Sequence, residues 1–131
     1  MITVDTSAIV ALWDAREPRH VGAVNTLERE EAVTLPAATL GEIAYFIELR
    51  HSLRTLSAFI RHLIDGAFQV DSGTGDFPRI LELVERYADL PLGFVDAAVI
   101  ACAERNGGRV LTFDYRHFGV VAGEGTITLV Q

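Results

Sequence analysis

The first dozen residues, Met1 to Leu12, constrain the fold more than any other stretch. Met1-Ile2-Thr3-Val4 is a short apolar, β-branched run. With no polar alternation, it reads as a strand covered on both faces. Asp5 ends it, and an apolar helical turn follows, reaching about Trp13-Asp14. Thr6 and Ser7 can cap that turn, because their hydroxyls accept bonds from the first free N–H groups. A carboxylate therefore stands at the carboxyl end of a central strand, in a strand-to-helix crevice. Open α/β sheets bind ligands at that place. Taken alone, Asp5-Thr6-Ser7 also reads as nothing more than a helix cap.

The rest of the chain continues the same alternation of strands and helices. Glu17-Pro18 opens a second helix, with Val21, Val24 and Leu27 at helical spacing. Val33 to Leu35 reads as a strand, and Pro36 starts a helix to about Arg50. Leu53 to Ile64 is helical and stops at Asp65-Gly66, and Ala67 to Val70 reads as a strand. Ser72-Gly73-Thr74-Gly75 reads as a turn, without the strand, helix and Lys that frame a phosphate loop. Asp76 caps a helix to about Ala88. A very apolar helix runs from Phe94 to about Arg105 and ends at Asn106-Gly107-Gly108. Arg109 to Phe113 is a strand, Tyr115 to Val121 a short helical turn, and Thr126 to Val130 a final strand. Strands separated by one or two helices predict an α/β/α sandwich. Its centre is a mainly parallel sheet of four to five strands flanked by helices. No repeat or linker interrupts residues 1–131, which read as one domain.

Half the residues are hydrophobic and 22% are charged, which predicts a compact folded chain. No apolar run has membrane-spanning length, and the N-terminus lacks the pattern of a signal peptide. Cys102 is the one cysteine and sits among apolar residues. With no disulfide framework, the expected compartment is cytoplasmic. The net charge of −7 disfavours nucleic-acid binding through a broad basic surface. It leaves room for an enzyme that reaches phosphates through divalent cations. All eleven basic residues are Arg. Arg suits bidentate phosphate contacts, although codon bias produces the same composition.

Most of the eighteen acids sit in polar surroundings and read as solvated. Four do not. Asp96 is the only charge between Phe94 and Ala103, and Val99 and Ile100 lie one turn on. Burying a lone carboxylate there is costly unless something pairs with it. The competing explanation is its first-turn position, where the helix dipole favours an anion by only about 0.3–1 kcal/mol. Glu42 has Ala38, Tyr45, Phe46 and Leu49 as helical neighbours, so it marks either a site or an amphipathic edge. Asp114 closes the strand before Tyr115, as Asp5 closes the first strand, or else is a turn residue. Asp89 reads as a loop residue. Brought together roughly 5 Å apart, Asp5, Glu42, Asp96 and Asp114 repel by about 3 kcal/mol per pair at an effective dielectric near 20. Such a cluster stays ionised only around a cation. Hard oxygen donors, with no second Cys and no histidine at ligand spacing, select Mg²⁺ or Mn²⁺ over Zn²⁺. His20, His51, His62 and His117 each read as surface or boundary residues. An acidic pocket holding such ions suits phosphoryl transfer.

These residues resemble the PIN-domain family, and within it the VapC toxins of bacterial toxin–antitoxin pairs. The resemblance covers almost the whole chain. It rests on Val4-Asp5-Thr6-Ser7, Leu40-Gly41-Glu42-Ile43, Gly93-Phe94-Val95-Asp96-Ala97-Ala98 and Thr112-Phe113-Asp114-Tyr115-Arg116-His117-Phe118. No single motif is specific; four in this order are much more so. The resemblance implies a metal-dependent endoribonuclease acting on structured RNA such as tRNA or rRNA loops. Asp5, Glu42, Asp96 and Asp114 would hold Mg²⁺ or Mn²⁺, with Thr6, Ser7 or Thr112 orienting a carboxylate or a water. Arg16, Arg116 and His117 are candidates for RNA phosphate contacts. The resemblance further implies a homodimer and a small VapB-like antitoxin.

Two other readings stay open at the level of sequence. In a phospho-aspartate hydrolase or receiver domain, Asp5 would accept a phosphoryl group. Such proteins depend on a Lys that this chain lacks, and Ser7 stands where their second Asp belongs. A non-catalytic interaction module could also keep this fold, although all four acids are present.

Overall fold

A computed structural model describes residues 1–130. Its sheet has five strands, all parallel. These are β1 (Ile2–Val4), β2 (Val33–Pro36), β3 (Gln69–Asp71), β4 (Arg109–Leu111) and β5 (Thr128–Leu129). The helices are α1 (Thr6–Trp13), α2 (His20–Glu28), α3 (Leu40–Arg50), α4 (Leu53–Ile64), α5 (Phe77–Arg86), α6 (Phe94–Arg105) and α7 (Tyr115–Ala122). Spatial order is β3-β2-β1-β4-β5. The chain first builds outward from β1 to β2 and β3, then returns to lay β4 on the other side of β1. The order therefore reverses beside β1, and the crevice at the carboxyl ends of β1 and β4 is the switch point.

Two apolar layers hold the sheet. Ile2, Val4, Leu35 and Leu111 pack with Ala8, Ile9, Ile43, Ile47 and Phe59 on one face. Val110 packs with α6, Leu83, Phe118 and Val121 on the other. The alternation of Val110 and Leu111 between the two layers is the period of two of a strand. Helix α6 is buried from Ala97 to Ala103 without interruption. Its alanines keep the backbone close to the sheet, so its apolar character on every side has a direct cause.

Several boundaries differ from the sequence reading. Pro36 ends β2 opposite Asp71 instead of starting a helix, and a 3-10 turn, Ala37–Thr39, leads into α3. Helix α2 begins at His20, because Glu17 and His20 N–H groups close successive turns onto Asp14 and Glu17 carbonyls. Tyr115–Ala122 is a two-turn helix rather than a single turn. Strand β4 stops at Leu111, because the Thr112 hydroxyl bonds the Asp114 N–H and turns the chain out of the ladder. Asp76 stands at the N-cap of α5, but its side chain makes no cap bond. It is buried, and its carboxylate accepts from Arg105 Nε at 2.6 Å and Nη2 at 2.7 Å. A charge-assisted bidentate pair outcompetes a cap bond. The Ser72–Gly75 turn does lie between a strand and a helix, β3 and α5, but no Lys accompanies it.

Candidate active site

Asp5 is where the first strand meets the first helix. Its backbone N–H still bonds Leu111 in β4, and its side chain caps α1 by accepting from the Ala8 N–H at 3.1 Å. So the cap is Asp5 itself, which frees Thr6 and Ser7 for other partners. Ser7 Oγ donates to Asp5 Oδ1 at 2.7 Å, and Thr112 Oγ1 donates to Asp5 Oδ2 at 2.7 Å. Ser7 Oγ in turn accepts from the Phe113 N–H at 2.9 Å. These bonds lace the end of β1 to the end of β4 and fix both oxygens of Asp5. Thr6 Oγ1 donates to Glu42 Oε1 at 2.7 Å, joining α1 to the first turn of α3. Each of the three hydroxyls thus donates to a carboxylate of the site.

The four acids line one cleft of about 250 Å³, with Val95 and Val99 of α6 as its apolar wall. Asp5 comes from the end of β1, Glu42 from α3, Asp96 from the first turn of α6, and Asp114 from the N-cap of α7. Burial pushes the Asp5 carboxyl up to about 6, against the lowering effect of Ser7, Thr112 and Ala8. Asp96 is half-buried, and its carboxyl is also raised, first by desolvation and then by the charge of Asp114. Glu42 is exposed at the rim. Both upward shifts express the same fact: the fold holds negative charge where it is poorly solvated.

His117 joins this cluster, contrary to the expectation that no histidine sits at ligand spacing. One donor atom each from Asp96, Asp114 and His117 lies within 4.8 Å of the others. The signal was the spacing Asp114-x-x-His117. Asp114 caps α7 by accepting from the His117 N–H at 3.2 Å. The side chain at that third helical position then reaches back toward the cap, as in a capping box. Arg116, one residue earlier, is exposed and makes no ion pair among the described residues. Arg16 does not line the cleft; it pairs with Asp14 at 3.2 Å in a separate depression beside Glu17 and Arg50.

The donor set fits a divalent cation: carboxylates converge from four elements, two of them raised by burial and mutual charge. A second, mostly apolar cleft of about 330 Å³ lies at the ends of β2 and β3. Its carboxylates, Asp71 and Asp76, both pair with Arg105, whose guanidinium already occupies the place a cation would take.

The PIN domain family model matches residues 2–124. The chain belongs to the PIN domain family. Its curated relatives include the ribonuclease VapC26 of Mycobacterium tuberculosis, 30% identical over 97% of this chain and 98% of that protein. Among solved structures it is similar to the Sarcin-Ricin loop cleaving toxin VapC20 of Mycobacterium tuberculosis. The TM-score is 0.80, with 26% identity and 95% of each chain covered. A toxin–antitoxin complex from Klebsiella pneumoniae shares the fold, with a TM-score of 0.75 at 19% identity over 100% of this chain and 97% of that one. The PIN domain core of this chain is thus the sheet and helices that bring the acidic cleft together.

Proposed function

We propose that this PIN domain is a VapC-like toxin: a metal-dependent endoribonuclease that hydrolyses phosphodiester bonds in structured RNA such as tRNA or rRNA loops and so inhibits translation. The observation that carries the reading is the convergence of Asp5, Glu42, Asp96 and Asp114 on one cleft at the switch point of the sheet. The likeness to VapC26, a ribonuclease, and to VapC20, which cleaves the sarcin–ricin loop, supports the substrate class. In this reading the four acids hold Mg²⁺ or Mn²⁺. The bound cation supplies an activated water and stabilises charge on the phosphate.

The chain's own residues do the positioning. Ser7 and Thr112 hold both oxygens of Asp5, so the carboxylate cannot rotate away from the cleft. Thr6 does the same for one oxygen of Glu42. Val95 and Val99 keep one wall dry, which strengthens every charge interaction inside. Arg116 is exposed beside Asp114, which supports a contact with an RNA phosphate; Arg16 lies outside the cleft, paired with Asp14, where only a longer RNA would reach it.

The partners we propose are an RNA substrate, a VapB-like antitoxin and a second copy of the chain as a homodimer, in the cytoplasm. No helix among the described residues is long and apolar enough to cross a membrane. Helices α3 and α4 leave Tyr45, Leu49, Leu53 and Ile64 exposed, a set of large apolar side chains that supports a protein partner. The −7 net charge supports an antitoxin segment carrying Arg or Lys. The phospho-aspartate reading is the poorer one: both Asp5 oxygens already accept hydroxyl bonds, and no Lys is present to balance a phosphate. The test is incubation of total RNA with the purified, antitoxin-free chain. Cuts at discrete sites that stop with EDTA and resume with Mn²⁺ or Mg²⁺ support the reading. A folded sample that gives no metal-dependent cut overturns it.

A further inference from the structure

His117 adds a nitrogen to a site whose other candidate donors are all oxygens. It lies on the first turn of α7, a helix pinned to the core by Phe118 and Val121. Its position is therefore set by packing and not by the cleft. Nδ1 stands 2.9 Å from Asp114 Oδ2 and 3.1 Å from Oδ1. The same ring bears on Asp96, whose carboxyl it pulls down against the effect of Asp114 and Glu42. The other three histidines are engaged elsewhere. His20 Nδ1 bonds the Ala11 carbonyl, His62 Nδ1 bonds the Ala58 carbonyl, and His51 faces Asp14.

We propose that His117 is a nitrogen ligand of the cation held with Asp96 and Asp114, and that this donor makes the centre prefer Mn²⁺ to Mg²⁺. The inference rests on the metal-site reading given above. Ligand atoms around one octahedral cation, at about 2.1 Å from it, lie roughly 3–4.2 Å apart. A spread within 4.8 Å closes to that with small side-chain movements. A neutral imidazole bears its proton on one ring nitrogen and a lone pair on the other. In the Nε2–H tautomer, reached by moving one proton between the ring nitrogens through water, the Nδ1 lone pair that faces Asp114 is free to bind the cation. Mg²⁺ is hard and keeps oxygen ligands and waters, whereas later first-row ions accept imidazole. The nitrogen thus separates two ions that the carboxylates alone would hold similarly.

Pulsed electron paramagnetic resonance of Mn²⁺ added to the EDTA-treated full chain tests this. The expected result is imidazole ¹⁴N modulation in the wild type, absent in His117→Gln although Mn²⁺ still binds. Incorporating ¹⁵N-histidine into the wild type, which leaves the fold untouched, must convert the modulation to ¹⁵N. Competition binding should show the Mn²⁺-over-Mg²⁺ preference falling by about tenfold or more in His117→Gln. Bound Mn²⁺ without nitrogen modulation, modulation that persists in His117→Gln, or an unchanged preference overturns the proposal. A wild type that binds no Mn²⁺ at all overturns the metal-site reading itself, which is a different failure.

Discussion

Asp5 carries two tasks that pull against each other. It caps α1 and ties β1 to β4, yet it is buried, and burial raises its carboxyl to about 6 from 3.8. A raised carboxyl destabilises the fold only when ionised. That penalty is absent below the ordinary value, grows between 3.8 and about 6, and is complete above about 6. At one pH unit per 1.36 kcal/mol, it reaches about 3 kcal/mol. Asp5→Asn keeps the acceptor for Ala8 and removes the charge. In metal-free urea unfolding, the variant should gain on the wild type by about 1.5 kcal/mol as pH rises from 5 to 7.5, the other half of the penalty having accrued below pH 5, while losing cleavage. Parallel stability curves across that range would show that Asp5 is not destabilised by its charge. The same residue explains part of what sequence could tell. Asp5 and Asp96 stood out because each is a charge in an apolar pattern. The partners of His117 and Asp76 were not legible, because their side-chain directions depend on the first turns of α7 and α5, and Asp76's partner lies 29 positions away.

At the scale of elements, β1 and α6 were legible because their patterns leave no alternative. A short β-branched run and a helix apolar all round must both be buried. Element ends were less so. Pro36 fits a helix start and a strand end equally until Asp71 of β3 pairs with it. Arg105, at the end of α6, shows what such long-range pairing does. It binds Asp76 and also Asp71, at 2.7 Å through Nη2, and so clamps the β3–α5 turn to α6. Arg105→Ala leaves the buried Asp76 carboxylate without its partner. It should lower stability by about 2 kcal/mol and speed amide hydrogen exchange in residues 72–76. The acidic cleft is built from the opposite end of α6, so cleavage by the folded variant should stay near wild type. Loss of cleavage with stability intact would tie the clamp to the site instead.

For the whole molecule, two sets of acids titrate in opposite senses. Asp71 and Glu104 are held low, above all by hydrogen bonds from Arg105 and Arg79. Their contribution is present above the ordinary carboxylate range and is lost as pH falls through their lowered values. Asp5 and Asp96 are raised, so they oppose folding as pH climbs past the ordinary range. By these groups the metal-free protein should be most stable near the ordinary carboxylate values, at about pH 4, where the first set is ionised in the fold and the second still protonated. A cation in the cleft takes the place of the protons, so saturating Mn²⁺ should move that optimum above pH 6 in a thermal melt series. An optimum that ignores Mn²⁺ would contradict the metal-site reading. Charge, fold and site meet at one place: the switch point of a parallel sheet, where acids that could hold a cation line one cleft.

The most direct measurement is mapping of new RNA 5′ ends after treatment with the wild type and with Asp96→Asn, both checked for native circular dichroism and supplied with Mn²⁺. The account predicts discrete cuts by the wild type and a loss of at least about a hundredfold in the variant. Equal cutting by a folded Asp96→Asn protein would contradict it, since the acidic cleft could then not be where the bond is broken.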